Sequence, residues 1–405
     1  MIAHGVRPGS TVVTLIPNGI ESLLLPWISA VMKLTLAPLD VCALTSPRRI
    51  ELVERMRTLQ LDVVIVPTTS DAAAIDAARL HVGEPLPGMR VCPDGDNAPR
   101  NSCTTLTCLA RDGSGHKIDL QKLLDTAQIG VDSVVLYSTA NFRVIAPFTA
   151  AAVWRAGGTV VMPGTAFTPE VVLDALERHS ITHMLLLPFQ IYSIIAHPTF
   201  RNRHTGTLRT VLTGADTVNK DLLVKMAANF PSAAVCTAHR TTEGGAFLAW
   251  IWYDTPPGRL PYFGEISPLG KIAAGSRLRI WNHESGKVAR RGELGELHVS
   301  SDVAIRHYLG SRNEDSFYFD DLGRWFKTGD LGIIDADGVV YVLGRIKDVV
   351  MRAGIPITPA ALKSSIGNFT GVLVSEASVV AIRRSSSGRS LLQCYKATTA
   401  KARRM

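Results

Sequence analysis

Short apolar runs alternate with helical segments through the N-terminal part of the chain, and this alternation restricts the fold more than any other feature. The β-branched run Thr11–Ile16 precedes a Pro-Asn-Gly turn and an apolar helix predicted over Ile20–Met32. Two more apolar runs, Leu34–Leu39 and Leu61–Val66, flank an amphipathic helix predicted over Pro47–Gln60. Strands that alternate with helices in this way form a parallel sheet with helices on both faces. The sequence therefore predicts the α/β class, with a large doubly wound N-terminal domain.

The alternation resumes after Glu84–Gln128, a segment rich in Gly, Pro, Asn, Asp and Ser that is predicted to be mostly loop. A proline at the start of a helix is typical of its first turn, where no N–H partner is lost. The elements predicted beyond the loop are strand Thr159–Met162, helix Phe167–His179, strand Thr182–Pro188 and strand Leu208–Gly214.

The pattern becomes β-rich from about residue 262 to residue 344, with strands predicted at Arg277–Trp281 and Leu297–Ser300. Two interpretations are open for a group of potential metal ligands in this part. They form a metal site, or they alternate along strands and face solvent. Alternation on exposed strand faces is the favoured interpretation for His283, Glu284, Glu296 and His298.

Two chemically suggestive clusters lie close together between Trp325 and Ser365. Thr328-Gly329-Asp330 places a carboxylate in a turn that glycine relieves, so that the backbone can approach a ligand. A hairpin turn then leads into the strand Val339–Leu343, which carries Arg345 at its far end. Asp330 and Arg345 are therefore predicted to face each other across the hairpin.

A carboxylate beside a guanidinium suits the ribose and phosphate of a nucleotide. The carboxylate accepts hydrogen bonds from hydroxyls, and the guanidinium donates to hydroxyl or phosphate oxygens. The alternative interpretation is an ion pair on the surface that flanks a hairpin. Spacing alone favours the surface pair.

The stretch TGDLGIIDADGVVYVLGRIKDVVMRAGIPITP resembles the joint between the large and small domains of the adenylate-forming superfamily. This superfamily includes acyl-CoA synthetases, peptide-synthetase adenylation domains and luciferases. The resemblance implies that Asp330 holds the ribose hydroxyls and that Arg345 assists it. It also implies that Lys347 is the hinge about which the small domain turns between half-reactions, and that Gly354 lines the tunnel for the thiol.

Two other segments are similar to motifs of the same superfamily. Thr242 and Glu243 match the end of a motif in which the threonine contacts the α-phosphate and the glutamate binds Mg²⁺. His239 stands where the superfamily has an aromatic residue near adenine, and Arg240 replaces a glycine. Gly214 lies in a segment that resembles the lining of the acyl and adenine pocket. Without the resemblance, Thr-Thr-Glu-Gly-Gly would be interpreted as a plain turn.

Two parts of the superfamily's catalytic apparatus have no counterpart in this sequence. Members follow the strand equivalent to Val134–Tyr137 with a Gly-rich loop whose backbone N–H groups surround a triphosphate. Here Ser138 and Thr139 lead directly to the next element. The lysine that acts late in the small domain is not matched either, because Lys396 and Lys401 lie in a different context. Losing one such contact costs roughly a hundredfold in rate, so we expect adenylation to be impaired.

The resemblance implies a large AMP-binding domain at residues 1–344, whose β-rich part is residues 262–344, and a truncated small α+β C-terminal domain at residues 345–405. It implies an acyl-CoA ligase-like synthetase that activates a carboxylic acid with ATP and Mg²⁺ and transfers the acyl group to CoA, as in secondary metabolism. Two alternatives stay open. One is a catalytically dead relative that binds a nucleotide or CoA, and the other is an adenylation domain that loads a carrier protein.

Composition limits the other function classes. The formal charge of +8 is spread along the chain, which fits anionic ligands such as ATP or CoA better than nucleic acid. No membrane span is predicted, since the most apolar stretch, Ile20–Leu39, contains Glu21, Pro26 and Lys33. The 6 cysteines show no metal-binding spacing, and no secretory signal is found. A cytoplasmic location is therefore predicted, with the peroxisome left open.

Overall fold

The computed structural model describes the chain in segments, and the helix predicted over Pro47–Gln60 lies mostly outside them. Most of Glu84–Gln128 lies outside them as well. The described residues are 6–45, 52–53, 56, 61–81, 90–93, 128–140, 143, 145–216, 218–301, 304–305, 315–352, 355–357, 376–383 and 390–397.

A four-stranded parallel sheet forms from the N-terminal part of the chain, with the strand order β2-β1-β3-β4. Its first three strands are buried runs of Val, Thr, Leu and Ile, as a sheet covered on both faces requires. The strand β4 departs from the prediction of loop, because a short run there pairs with the edge of β3. The elements are β1 (Thr11–Thr14), α1 (Ile20–Val31), β2 (Thr35–Pro38), β3 (Val63–Val66), α2 (Thr69–His81) and β4 (Arg90–Pro93).

A second parallel sheet has five strands in the order β6-β5-β7-β8-β9. Its elements are β5 (Val134–Tyr137), α3 (Ile145–Arg155), β6 (Thr159–Val161), α4 (Pro169–His179), β7 (His183–Leu186), α5 (Pro188–Ile195), β8 (Thr210–Gly214), α6 (Lys220–Asn229) and β9 (Ala234–Ala238). The predicted proline-primed helix is confirmed as α4, which the Thr168 hydroxyl caps by accepting from the N–H of Val171. In parallel sheets, ligands bind beyond the carboxyl ends of the strands, which here is where β8 and β9 end.

The β-rich part forms a six-stranded antiparallel sheet with the order β13-β12-β14-β16-β15, and β17 pairs with β16. One face of this sheet packs Leu297 and Val299 into a core with Phe247. The strands are β10 (Leu248–Ala249) and β11 (Lys271–Ile272), which pair with each other, and β12 (Ser276–Asn282), β13 (Lys287–Val288), β14 (Gly295–Ser301), β15 (Phe317–Asp320), β16 (Gly323–Ile334) and β17 (Val340–Arg345).

The prediction that Glu296 and His298 are exposed strand residues is wrong. Both are buried, with 6% and 1% of their surface accessible. They lie on the face of β14 opposite the core, but that face is covered by stacked aromatic rings and by the guanidinium of Arg279. His283 and Glu284 are exposed, as predicted. Among the described residues, no cluster of three His, Cys, Asp or Glu side chains could hold a metal ion.

Two antiparallel hairpins follow β17. The first pairs β18 (Val350–Arg352) with β19 (Ile355–Ile357), and the second pairs β20 (Glu376–Arg383) with β21 (Ser390–Ala397). The strands predicted at Ala377–Ile382 and Leu391–Tyr395 are thereby confirmed. The division between domains at residues 344 and 345 stays a prediction. In the described helices, no segment combines the length and the apolar character that crossing a bilayer requires.

Gly214 gives a direct test of the packing between β8 and β9. A Cβ atom built at this position would collide with the carbonyl oxygen of Ala238 on β9. We expect Gly214→Ala to lower the free energy of unfolding by about 1–3 kcal/mol, because the two strands must separate to relieve the overlap. Urea unfolding followed by circular dichroism measures this change.

Gly258→Ala is the matched control, since a Cβ atom there would meet nothing within 4 Å. It should leave the unfolding free energy within about 0.5 kcal/mol of the wild-type value. Equal stability of the two variants would contradict the close approach of β8 and β9.

Candidate functional site

Asp330 and Arg345 face each other on adjacent strands, as the sequence predicts. Asp330 of β16 is in register with Arg345 of β17, and the Asp330 Oδ1 to Arg345 Nε distance is 3.1 Å. The Asp330 side chain is 5% exposed, whereas that of Arg345 is 53% exposed. The pair is therefore a nearly buried carboxylate under a guanidinium that reaches solvent. This arrangement differs from the surface ion pair that was the alternative interpretation.

The turn that carries Asp330 is held from several sides. The Thr328 hydroxyl accepts from the Asp330 N–H at 3.0 Å, and Arg345 Nη1 donates to the Thr328 carbonyl oxygen at 2.6 Å. Glu296 Oε1 accepts from the Gly329 N–H at 2.9 Å. Gly329 has a φ of +72°, a conformation that glycine adopts without steric cost. The carboxylate is thus fixed by its backbone as well as by its guanidinium partner.

His239 approaches the same carboxylate from the end of β9. Its Nε2 atom lies 3.3 Å from Asp330 Oδ2, and its ring packs edge-on against Phe247 with a centroid distance of 5.7 Å. The two polar atoms are close enough to pair as ions but are not aligned as a hydrogen bond. Among the described residues, Asp330 Oδ2 has no hydrogen-bond donor. Oδ2 is therefore a buried oxygen that has the His239 imidazole beside it but no aligned hydrogen bond.

Thr242 and Glu243 lie in a tight turn just beyond His239. The backbone of Thr241 pairs with that of Gly245, and the Thr241 hydroxyl accepts from the Gly244 N–H at 2.8 Å. The Glu243 carbonyl oxygen accepts from the Ile305 N–H at 2.8 Å, which ties the turn to the segment after β14. The segment forms a turn near His239, and the roles of Thr242 and Glu243 that the resemblance implies stay predictions.

Arg240 is a second cation of this region, and it is half-buried. Burial lowers the pKa of its guanidinium to about 10, and the nearby Tyr253 opposes this shift. The side chain stays charged at neutral pH. In the part of the chain that is described, no carboxylate pairs with it.

Gly214 ends β8 beside the carbonyl of Ala238, so its lack of a side chain has a structural cause apart from any ligand. Ala215 follows it with a φ of +62°, which is strained for a residue with a Cβ atom. Lys347 is exposed in a short 3-10 helix, Ile346–Asp348, directly after β17. Gly354 lies outside the described residues. The roles assigned to these three residues by resemblance stay predictions.

The segment after β5 has the short form that the sequence indicates. Ser138 is buried and its hydroxyl has no partner among the described residues, while the Thr139 carbonyl oxygen accepts from Asn18 Nδ2 at 3.0 Å. Helix α3 starts at Ile145. Asn18 belongs to the turn before α1, so this contact joins the two parallel sheets where a phosphate-binding loop would otherwise emerge.

Comparison with known proteins agrees with this fold. Residues 117–309 match the sequence profile described as AMP-binding enzyme. An acyl–CoA ligase from Pestalotiopsis microspora is 32% identical over 94% of this chain and 72% of that protein. 4-Coumarate–CoA ligase 3 of Oryza sativa subsp. japonica is 25% identical over 58% of this chain and 41% of that protein.

Solved structures give the same result for the fold. ATP-bound MatB from Rhodopseudomonas palustris superposes with a TM-score of 0.74 at 21% identity, covering 97% of this chain and 79% of that one. A fatty acyl CoA synthetase from Mycobacterium tuberculosis gives a TM-score of 0.72 at 20% identity, with coverages of 97% and 78%. The architecture is that of an adenylate-forming enzyme. The chain belongs to the AMP-binding enzyme family, on its acyl–CoA ligase branch.

The Thr328 hydroxyl offers a test of how the carboxylate turn is held. Thr328→Val keeps the shape of the side chain but leaves the buried Asp330 N–H without its acceptor, so we expect the unfolding free energy to fall by about 1–3 kcal/mol. Thr328→Ser keeps the hydroxyl and should recover most of this loss. Chemical denaturation of the three proteins checks the order, and a Val variant as stable as the wild type would contradict the role of the hydroxyl.

Proposed function

We propose that this chain binds ATP through Asp330 and Arg345, activates a carboxylic acid as an acyl-adenylate and transfers the acyl group to CoA. The observation that carries this proposal is the nearly buried Asp330 carboxylate, which has one oxygen on Arg345 and the other without a hydrogen-bond donor among the described residues. A ribose supplies two neighbouring hydroxyl donors, which is the chemistry that such an oxygen accepts. Membership of the acyl–CoA ligase branch supports the same activity.

We assign the adenine and the phosphates of the nucleotide to the side chains around Asp330. His239 lies beside Asp330 and offers a ring against which adenine can stack, and Gly214 ends the neighbouring strand β8, where it packs against Ala238. Thr242 presents its hydroxyl to the α-phosphate. Arg240 adds a cation to this end of the sheet, where the ligand is anionic.

Glu243 fits Mg²⁺ as a partner that arrives with the nucleotide. The described residues contain no cluster of three ligating side chains, and Mg²⁺ commonly takes one or two carboxylates together with phosphate oxygens and water. When bound, the ion would neutralise charge on the phosphates. Glu243 would hold it next to the Thr242 hydroxyl.

The proposed reaction has two steps, adenylation of the acid and transfer of the acyl group to CoA. In the first, a carboxylate oxygen of the acid attacks the α-phosphorus, the bond to the β-phosphate oxygen breaks, and pyrophosphate leaves. In the second, the thiol of CoA gives its proton to water and its sulfur attacks the acyl carbonyl carbon. The bond from that carbon to the phosphate oxygen then breaks, and AMP leaves as the thioester forms. In both steps Asp330 and Arg345 hold the ribose, and Lys347 and Gly354 serve the rearrangement and thiol access that the second step requires.

We expect the first step to be slow. The phosphate end of the site has the short Ser138-Thr139 segment instead of a Gly-rich loop, so few backbone N–H groups can stabilise charge on the leaving pyrophosphate. Removing a single donor of this kind costs about a hundredfold or more. The same observation favours a second candidate function, in which the chain binds a nucleotide or CoA without turnover. A carrier protein in place of CoA and a role in secondary metabolism remain further proposals.

ATP–pyrophosphate exchange in the presence of Mg²⁺, with a panel of fatty, aryl and short-chain acids, tests the activity. We expect weak exchange with one class of acid and its complete loss in Asp330→Ala, because the ribose contact disappears. Asp337→Ala is the matched control, since Asp337 is an exposed aspartate in the turn between β16 and β17. Exchange that persists in Asp330→Ala would contradict the assignment.

Calorimetric titration with AMP, together with the exchange assay, separates the ligase function from nucleotide binding without turnover. Both predict binding, and both predict that Asp330→Ala weakens it at least about tenfold, as loss of a charge-assisted hydrogen bond implies. Binding without exchange by any acid would leave the binding-only function. A folded wild-type protein that fails to bind AMP would refute the ligase function and nucleotide binding without turnover.

A further inference from the structure

Glu296 of β14 contacts the segment of β16 that carries Asp330, because its Oε1 atom accepts from the Gly329 N–H. Alternation in the sequence predicts an exposed side chain here, but Glu296 is buried. The ladder between β14 and β16 is irregular here. Glu296 pairs with Leu331 and His298 pairs with Lys327, so four residues of β16 cover the distance that two residues of β14 cover. Thr328, Gly329 and Asp330 therefore form a bulge on the edge of β16 that faces β14, while Asp330 keeps its register with Arg345 on the other edge.

A bulge leaves backbone N–H groups without ladder partners, and a buried N–H without an acceptor is costly. Glu296 Oε1 supplies the acceptor for the Gly329 N–H at 2.9 Å. Since Asp330 follows Gly329 directly, the same hydrogen bond fixes where the bulge points the Asp330 side chain. The carboxylate of Glu296 thus takes the place of a strand carbonyl in the ladder.

The second oxygen of Glu296 is held by two imidazoles. Oε2 lies 2.8 Å from His283 Nε2 and 3.2 Å from His298 Nε2. Burial raises the pKa of the Glu296 carboxyl, but the hydrogen bonds from His298, Gly329 and His283 outweigh it, and the net pKa is lowered. An ionised carboxylate makes a stronger hydrogen bond to an N–H than a neutral group does.

His298 is itself oriented by a chain of contacts. Its ring stacks on Trp281 at a centroid distance of 5.6 Å, and its Nδ1 atom lies 2.6 Å from the Tyr318 hydroxyl. Arg279 donates to the Tyr318 oxygen from Nε at 3.2 Å and from Nη2 at 2.5 Å. Because both bonds from Arg279 use the lone pairs of Tyr318, the tyrosine proton points to His298 Nδ1. His298 Nε2 then donates to Glu296 Oε2.

We propose that Glu296 is a positioning residue for nucleotide binding: it sets the Thr328–Asp330 bulge, and His298 and Tyr318 hold it in the orientation that does so. The inference rests on the proposed role of Asp330 in binding the ribose. It assigns to the β-rich sheet a direct part in shaping the nucleotide site.

Two variants separate the acceptor from the shape of the side chain. Glu296→Met has a similar length but cannot accept from the Gly329 N–H, and we expect its Kd for AMP to rise at least about tenfold. Glu296→Gln keeps an oxygen at the same place and should raise the Kd only a few-fold. Glu293→Ala is the matched control, because Glu293 is exposed in the same segment and accepts from the Arg290 N–H. It should leave the Kd unchanged.

Hydrogen exchange measured by mass spectrometry on the peptide that contains Thr328–Asp330 provides a readout that needs no nucleotide. We expect faster exchange of this peptide in Glu296→Met than in Glu296→Gln, with the rest of the β-rich sheet unaffected. A folded Met variant with wild-type exchange and wild-type Kd would overturn the proposal. If the Met variant does not fold, wild-type exchange in Glu296→Gln would overturn it, since loss of the charge must weaken the bond.

These experiments distinguish the two possible failures. A wild-type protein that does not bind AMP refutes the proposed function, while the exchange of the Gly329 peptide still decides whether Glu296 holds the bulge. A wild-type protein that binds AMP equally well with Met at position 296 refutes only the positioning role.

Discussion

The buried carboxylate of Asp330 is the constraint on which the rest of the site depends. A charge with 5% of its side chain exposed is stable only when partners replace the water that it has lost. Arg345 supplies one such partner from β17, the Thr328 hydroxyl accepts from the Asp330 N–H, and Glu296 accepts from the N–H of the preceding Gly329. The hairpin of β16 and β17 is therefore built around this group, and in the proposed function a ribose hydroxyl is its further partner.

The second parallel sheet and the antiparallel sheet meet at this carboxylate. Strands β8 and β9 end side by side, which places Gly214 and His239 at the edge where parallel sheets bind ligands. His239 then bridges to Asp330 across the boundary between the sheets. The site is shared by two layers of structure, so it cannot form until both have packed together.

The sequence was sufficient to predict most strands and helices and the facing of Asp330 and Arg345. It was not sufficient to predict the burial of Glu296 and His298. Parallel alternation, helix α4 and the facing of Asp330 and Arg345 were predictable, because local periodicity and a hairpin turn determine them. Strand β4 was not, since four residues within a Gly-, Pro- and Asp-rich segment carry little periodic signal. Alternation correctly gave the face of β14 on which Glu296 and His298 lie. It could not show that Trp281, Tyr318 and Arg279 would cover that face.

The Asp330–Arg345 pair, which this chain has, and a Gly-rich phosphate loop, which its sequence lacks, affect different quantities. The pair bears on the affinity for a nucleotide, and the loop bears on the rate of the chemical step. In the proposed function, Asp330 and Arg345 hold a ribose that is the same in the bound substrate and in the transition state, so they would contribute uniform binding and little to the rate of the chemical step. A phosphate-binding loop stabilises charge that develops only as pyrophosphate leaves, and such contacts accelerate the step itself. The short segment from Ser138 to Ile145 removes contacts of the second kind and spares those of the first. Affinity for a nucleotide is therefore expected to exceed what the catalytic rate of this chain would suggest.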